Sequence, residues 1–184
     1  TCTLTPIGGG GPGGGDPTGT YYTGYYRFIG SYDEGRGTYA GEAQLRFNFE
    51  GDFPNERRYV LAAATAVFTK WEDDGANESC VLSADANTPT SFAGYLNFNT
   101  AQQGYVITGG LLLFQATSTC TRKADGFVTV SPAIMQVFVV STGAAGDPLY
   151  LPVSGDGSVI DGSRTYVAPQ NVLTQQNQWH LERH

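Results

Sequence analysis

The sequence predicts an all-β fold, an antiparallel sandwich or barrel of about 8–10 strands. Three observations predict it. From residue 20 onward apolar and polar residues alternate with period two, which places successive side chains on opposite faces of a strand. Clusters of Gly, Asp, Asn and Pro punctuate that alternation every ~8–15 residues. The 184 residues include 25 Gly, 11 Tyr and 10 Phe, and only 15% are charged, against roughly 25% in an average soluble domain.

The elements follow in chain order. Residues 1–19 form a Gly-rich arm, with Gly8-Gly9-Gly10-Gly11-Pro12-Gly13-Gly14-Gly15 at its centre. Such a run has no side chains to bury and predicts a flexible segment. Residues 20–168 form the all-β domain. Its first strand spans 21–31 and its clearest spans 38–49, where Tyr39, Ala43, Leu45, Phe47 and Phe49 share one face. The turn formers Asp33-Glu34-Gly35-Arg36-Gly37 join the two as a hairpin. Residues 56–71 read either as a strand, rich in Val, Thr, Phe, Tyr and Trp, or as a helix with a stripe of Val60, Ala64, Val67 and Trp71. The helix would place Arg57 and Arg58 at its positive end and Glu72, Asp73 and Asp74 at its negative end, so the macrodipole opposes it.

Further strands are expected at 80–84, 92–99, 105–108, 111–117, 133–142, 150–153 and 164–167, with Gly109-Gly110 as a two-residue turn. The expected core is Leu45, Phe47, Phe49, Leu96, Phe98, Leu112, Phe114, Ile134, Phe138 and Val140. Residues 169–184 read as a polar C-terminal tail with Trp179 as its one large anchor. The run Ile107-Thr108-Gly109-Gly110 with Phe114 resembles a stretch of the small secreted eight-stranded barrels of allene oxide cyclases and dirigent proteins. It covers fewer than ten residues and carries no function across.

Three cysteines are an odd count. Either all are free thiols in a reducing compartment, or Cys80 and Cys120 form a disulfide and Cys2 is left for another chain. In a simple meander the pairing depends on Gly109-Gly110. A tight turn there returns Cys120 to the end of the sheet that holds Cys80; a bulge sends it to the opposite end.

No constellation of residues marks an active site, and none marks a cofactor or metal. The two histidines, His180 and His184, lie in the last five residues. Glu42, Glu50, Asp52 and Glu56 supply carboxylates, but no pair stands out as the two a glycosidase needs. The loops around Asp73-Asp74-Gly75 and Asp156-Gly157 lack the spacing of an EF-hand, and hairpin turns use the same residues. The net charge of −7 argues against nucleic acid. No apolar run reaches the ~18–20 residues of a membrane-spanning helix.

The densest signal is aromatic. Tyr21, Tyr22, Tyr25 and Tyr26 place rings on both faces of the first strand. One face is a candidate for protein contact or for stacking on glycans. The expectation is a secreted, non-enzymatic structural protein, an all-β homo-oligomer stabilised by a disulfide, located in an extracellular filament or at a virion surface. Its partners are copies of itself or other subunits, with Cys2 and Trp179 as candidate intersubunit residues. The alternative is a secreted carbohydrate- or small-ligand-binding β domain.

Overall fold

The computed structural model describes residues 20–32, 36–143, 148–168 and 173–184. The Gly-rich arm, and Cys2 with it, lies outside the described residues. The fold is all-β, with ten antiparallel strands in one sheet. They are β1 (Tyr21–Tyr32), β2 (Gly37–Phe53), β3 (Glu56–Asp74), β4 (Glu78–Ala84), β5 (Ser91–Asn99), β6 (Gly104–Arg122), β7 (Val128–Val139), β8 (Leu151–Pro152), β9 (Val159–Val167) and β10 (Leu173–Arg183).

The path is an up-and-down meander. β1 pairs with β2 and β2 with β3. Between β3 and β6, β4 and β5 share one ribbon: both run antiparallel to β3 and to β6, end to end. β7 and then β8 line the far side of β6. β9 pairs with β10, and β10 returns to lie beside β1. The sheet is thus barrel-like, with no backbone ladder between β9 and the β7/β8 side among the described residues.

One core cluster draws buried side chains from every strand except β4 and β8, whose Leu82, Ala84 and Leu151 pack against it half-buried. Its largest buried members are Trp179, Tyr22, Tyr26, Tyr39, Tyr59, Tyr105, Phe28, Phe47 and Phe114. Glycines accommodate these rings. In four cross-strand pairs a glycine faces an aromatic residue directly: Gly30 with Tyr39, Gly37 with Tyr32, Gly41 with Phe28 and Gly162 with Trp179. At each, a Cβ would fall against the partner ring. The joint richness in Gly and aromatic residues is therefore a packing device: the ring lies flat over a strand that has no side chain there.

Residues 56–71 belong to a strand, the reading that the macrodipole favoured over a helix. Register shifts opposite β2 between Ala40/Gly41 and Arg46/Phe47 insert extra residues. The buried positions of β3 therefore fall at Tyr59, Leu61, Ala63, Ala64, Ala66 and Trp71, with irregular spacing that resembled a helical stripe. Several other expectations are corrected. Gly109-Gly110 is no turn, for β6 runs unbroken through it. Gly109 has φ 62°, and a register shift lies opposite, between Ala93 and Tyr95. In β7 the buried residues are Met135, Val137 and Val139, while Ile134 is 59% exposed and Phe138 half-buried. That strand is apolar on both faces, so its pattern did not reveal its parity. The residues read as a polar tail include β10, whose outer face is polar and whose inner face carries Trp179 and Leu181.

Candidate functional site: a bridged seam, a paired outer face and an open tongue

Where β9 and the β7/β8 side fail to pair, buried side chains span the gap. The Tyr26 hydroxyl donates to Val140 O at 2.9 Å and accepts from Val140 N at 3.0 Å. It thereby satisfies both backbone groups of a residue that has lost its ladder partner. Gln175 Nε2 donates to Phe138 O at 2.6 Å and to Asn177 Oδ1, while Gln175 Oε1 accepts from the Tyr39 hydroxyl at 2.7 Å. Trp179 Nε1 donates to the Tyr105 hydroxyl, which donates in turn to Asp161 O on β9, both at 3.0 Å. Burial raises the phenol pKa values of Tyr26, Tyr39 and Tyr105 and pushes that of Tyr22 up to about 12, because a phenolate loses its hydration there. These phenols therefore stay protonated and act as fixed donors.

The outer face of β2, β1, β10 and β9 carries the charged and histidine side chains. Cross-strand register sets out rows: Gln44, Tyr25, His180, Asp161, then Glu42, Arg27, Gln178, Ser163. His180 lies between two carboxylates, Nδ1 at 2.6 Å from Asp161 Oδ1 and Nε2 at 3.0 Å from Glu182 Oε1. The bond to Glu182 first and that to Asp161 second raise its pKa. With both ring nitrogens engaged, it is placed to hold charge, not to take a proton from a nucleophile. Tyr25 stacks on His180, centroids 5.6 Å apart, and Arg27 covers its ring at 4.5 Å. Tyr21 stacks on His184 and is covered by Arg46. Beside this cluster lies an open groove of about 720 Å³ whose outward side chains include Arg27, Ile29, Ser163, Thr165, Gln176 and Gln178.

The third feature is a tongue made of β4, the end of β6 and the start of β7. Its outer face has the rows Ser79, Thr121, Val128; then Val81, Thr119, Val130; then Ser83, Thr117, Pro132. The face is uncharged and mostly β-branched, and Val81, Val128 and Val130 are exposed, Val130 by 66%. The opposite face holds the Cys80–Cys120 disulfide, between directly paired residues. Its formation alongside a Gly109-Gly110 bulge corrects the expected dependence. β4 and β5 run the same way along β6, so no turn is needed to bring Cys120 back. Glu78 lies near both sulfurs, ligand atoms within 4.8 Å, but a disulfide offers no thiolate to a metal. The bridge fits an oxidising environment.

The remaining sequence candidates fall as follows. Tyr22 and Tyr26 are interior, 1% and 0% exposed, so they present no ring to a partner. Tyr21 and Tyr25 are on the outer face but already covered by His and Arg neighbours. Trp179, 1% exposed, is a core residue and not an intersubunit anchor. Asp73 and Asp74 bind Arg36 and Lys123; Asp156 binds Arg183. Glu42, Glu50, Asp52 and Glu56 are each paired with arginine. The tongue and the His180 clasp escaped sequence reasoning. For the clasp the visible signal was one-residue alternation in His180-Leu181-Glu182. No helix among the described residues is long and apolar enough to cross a membrane. No protein-family model, curated protein or solved structure matches the chain.

Proposed function

We propose that the chain is a non-enzymatic structural subunit that associates with copies of itself, or with other subunits, in an extracellular or virion assembly. One observation carries this reading. β7 pairs only with β6 among the described residues. It is twelve residues long without one charged side chain. Monomeric proteins blunt such edges with Lys, bulges, short strands or covering loops. Among the described residues the only such device is Pro132, while exposed Val81, Val128, Val130 and Ile134 sit on the adjoining face. The disulfide on the other face ties β4 to β6 and keeps the surface in shape. Light scattering after size exclusion tests this reading. The full chain associates at micromolar concentration, and Val130→Lys raises the dissociation constant by roughly tenfold or more without changing the unfolding midpoint. A monomer at all concentrations overturns it.

A second reading, binding of a carbohydrate or small polar ligand, is favoured by the outer groove. Gln176, Gln178, Ser163 and Thr165 offer amides and hydroxyls suited to sugar hydroxyls, and Ile29, 63% exposed, offers an apolar contact. A glycan array probed with wild type and Gln178→Ala decides it. Signal lost in the variant supports the groove; no signal from wild type removes this reading.

A further inference from the structure

We infer that residues 1–7 of a second copy, Thr-Cys-Thr-Leu-Thr-Pro-Ile, add as an antiparallel strand to the free edge of β7. The inference rests on the assembly reading above and names the surface's occupant. The edge has a definite polarity. Arg122 N bonds Phe127 O, so alternation turns the backbone of Val128, Val130, Pro132, Ile134 and Gln136 away from β6. Those same residues point their side chains to the outer face of the tongue. A matching strand must offer its backbone at every second residue, and it must lack charge.

Residues 1–7 satisfy both conditions. They contain no Asp, Glu, Lys, Arg or His. Pro6 has no N–H, so its backbone must face away from the ladder. Cys2 and Leu4 then face away with it, and Thr1, Thr3, Thr5 and Ile7 turn theirs to β7. Their side chains share a face with Val128, Val130 and Ile134, beside Thr117, Thr119 and Thr121. The outer surface becomes an almost continuous β-branched array, the side-chain class that pairs best across strands. Leu4 and Cys2 fall on the disulfide face.

The tether favours another copy as donor. Between Ile7 and Thr20 lie twelve residues, mostly Gly, with a fully extended reach of ~43–47 Å and a typical span of roughly 18–22 Å. β1 starts level with Tyr105, because Tyr22 stacks on Phe98 and Phe98 pairs with Tyr105. Antiparallel addition with Cys2 opposite Ala133 puts Ile7 opposite Val128, which pairs with Thr121. The sixteen residues from Tyr105 to Thr121 cover about 53 Å along β6, before any path around the barrel. The chain's own arm falls short in this orientation, whereas a neighbour's arm need not. Pairing of β7 with a second β7 about a two-fold is disfavoured, since two prolines would face the new ladder instead of one.

The test compares the full chain, a chain lacking residues 1–7, the variant Leu4→Lys, and full chains carrying Ser131→Cys, Ala133→Cys or, as control, Thr165→Cys on the outer groove. Deletion and Leu4→Lys should each raise the dissociation constant at least tenfold with the unfolding midpoint unchanged. Mild oxidation should link Cys2 of one chain to residue 131 or 133 of another, and not to residue 165. If the truncated chain and Leu4→Lys associate as the full chain does, assembly stands and the arm is not its agent. If the full chain is monomeric, the assembly reading and this inference fall together. If Cys2 joins residue 131 or 133 within one chain, the arm docks parallel in its own copy and donation between copies is overturned.

Discussion

Among the described residues, sheet edges lack a ladder partner in two regions, the seam and the tongue, and the two are treated in opposite ways. At the seam, the end of β7 and the free side of β9 are stitched by Tyr26, Gln175, Trp179 and Tyr105, all buried. Along the tongue, the edge from Val128 onward is uncharged and has no strand beside it among the described residues. Burial explains the difference. An unpaired N–H or C=O inside the body costs about 1–3 kcal/mol because no water reaches it, so the fold must supply a side chain. At the tongue water satisfies the backbone, and what remains is a template for another strand.

The contrast breaks first at Trp179. Its ring fills the interior above Gly162 and its Nε1 steadies Tyr105. Trp179→Ala should cost about 3–5 kcal/mol in a denaturant titration, while Val130→Ala in the tongue changes stability by less than about 0.5 kcal/mol. Equal effects would mean that the tongue is core.

The disulfide comes next. Closing a loop between residues 40 apart in sequence is worth roughly 3–4 kcal/mol through the unfolded state. Cys80→Ser with Cys120→Ser should lose that much, yet keep the circular dichroism of the β body and its buried aromatic signals. Collapse of those signals would show that the tongue organises the body.

Tyr26→Phe removes one oxygen from the seam and strands both Val140 N and Val140 O. A loss of about 2–4 kcal/mol is expected, two unsatisfied backbone groups taken together. Denaturant midpoints measure it, and hydrogen exchange should quicken at Val140 but not at Val130. A loss below about 0.5 kcal/mol would show that water already serves the seam.

The edges differed in how far sequence exposed them. The all-β class and the hairpin strands were legible, because alternation and turn residues act locally; the Cys80–Cys120 bridge stood as one of two alternatives, and the turn it was tied to at Gly109-Gly110 does not exist. Leu45 and Phe47 were placed correctly, since β2 carries Gln44, Arg46 and Asn48 on its other face. Ile134 was misplaced because β7 is apolar on both faces, and one unmarked step of parity inverts a strand. β10 was read as a tail because its inward row mixes Gln175 and Asn177 with Trp179 and Leu181. Those amides are buried for the seam, a long-range need no local pattern states. Asn177 Nδ2 even lacks a partner among the described residues.

The smallest expected effect concerns the outer side of the seam strand β9, where His180 ties Asp161 to β10. Asp161 and Glu182 accept from its two ring nitrogens, Tyr25 stacks on the ring, and Arg27 lies over the far side of Tyr25. The folded pKa is raised above 6.5 by the two carboxylates, so the folded state holds the proton more tightly than the unfolded chain does. The stability gained is complete below about pH 6.5 and is lost as pH rises through the folded value. The site is partly exposed, and the His180 side chain keeps 30% of its surface, Asp161 68% and Glu182 54%, so solvent screening limits the gain to at most ~1 kcal/mol. His180→Gln should therefore be less stable than wild type near pH 5.5, and the two should converge above about pH 8. Urea midpoints across that range measure the difference. If the gap widens with rising pH, the imidazole is bound neutral and the clasp is a plain hydrogen bond. If no gap appears at any pH, the buried bridges alone hold β9 against the body, and the outer face contributes nothing to closing the seam.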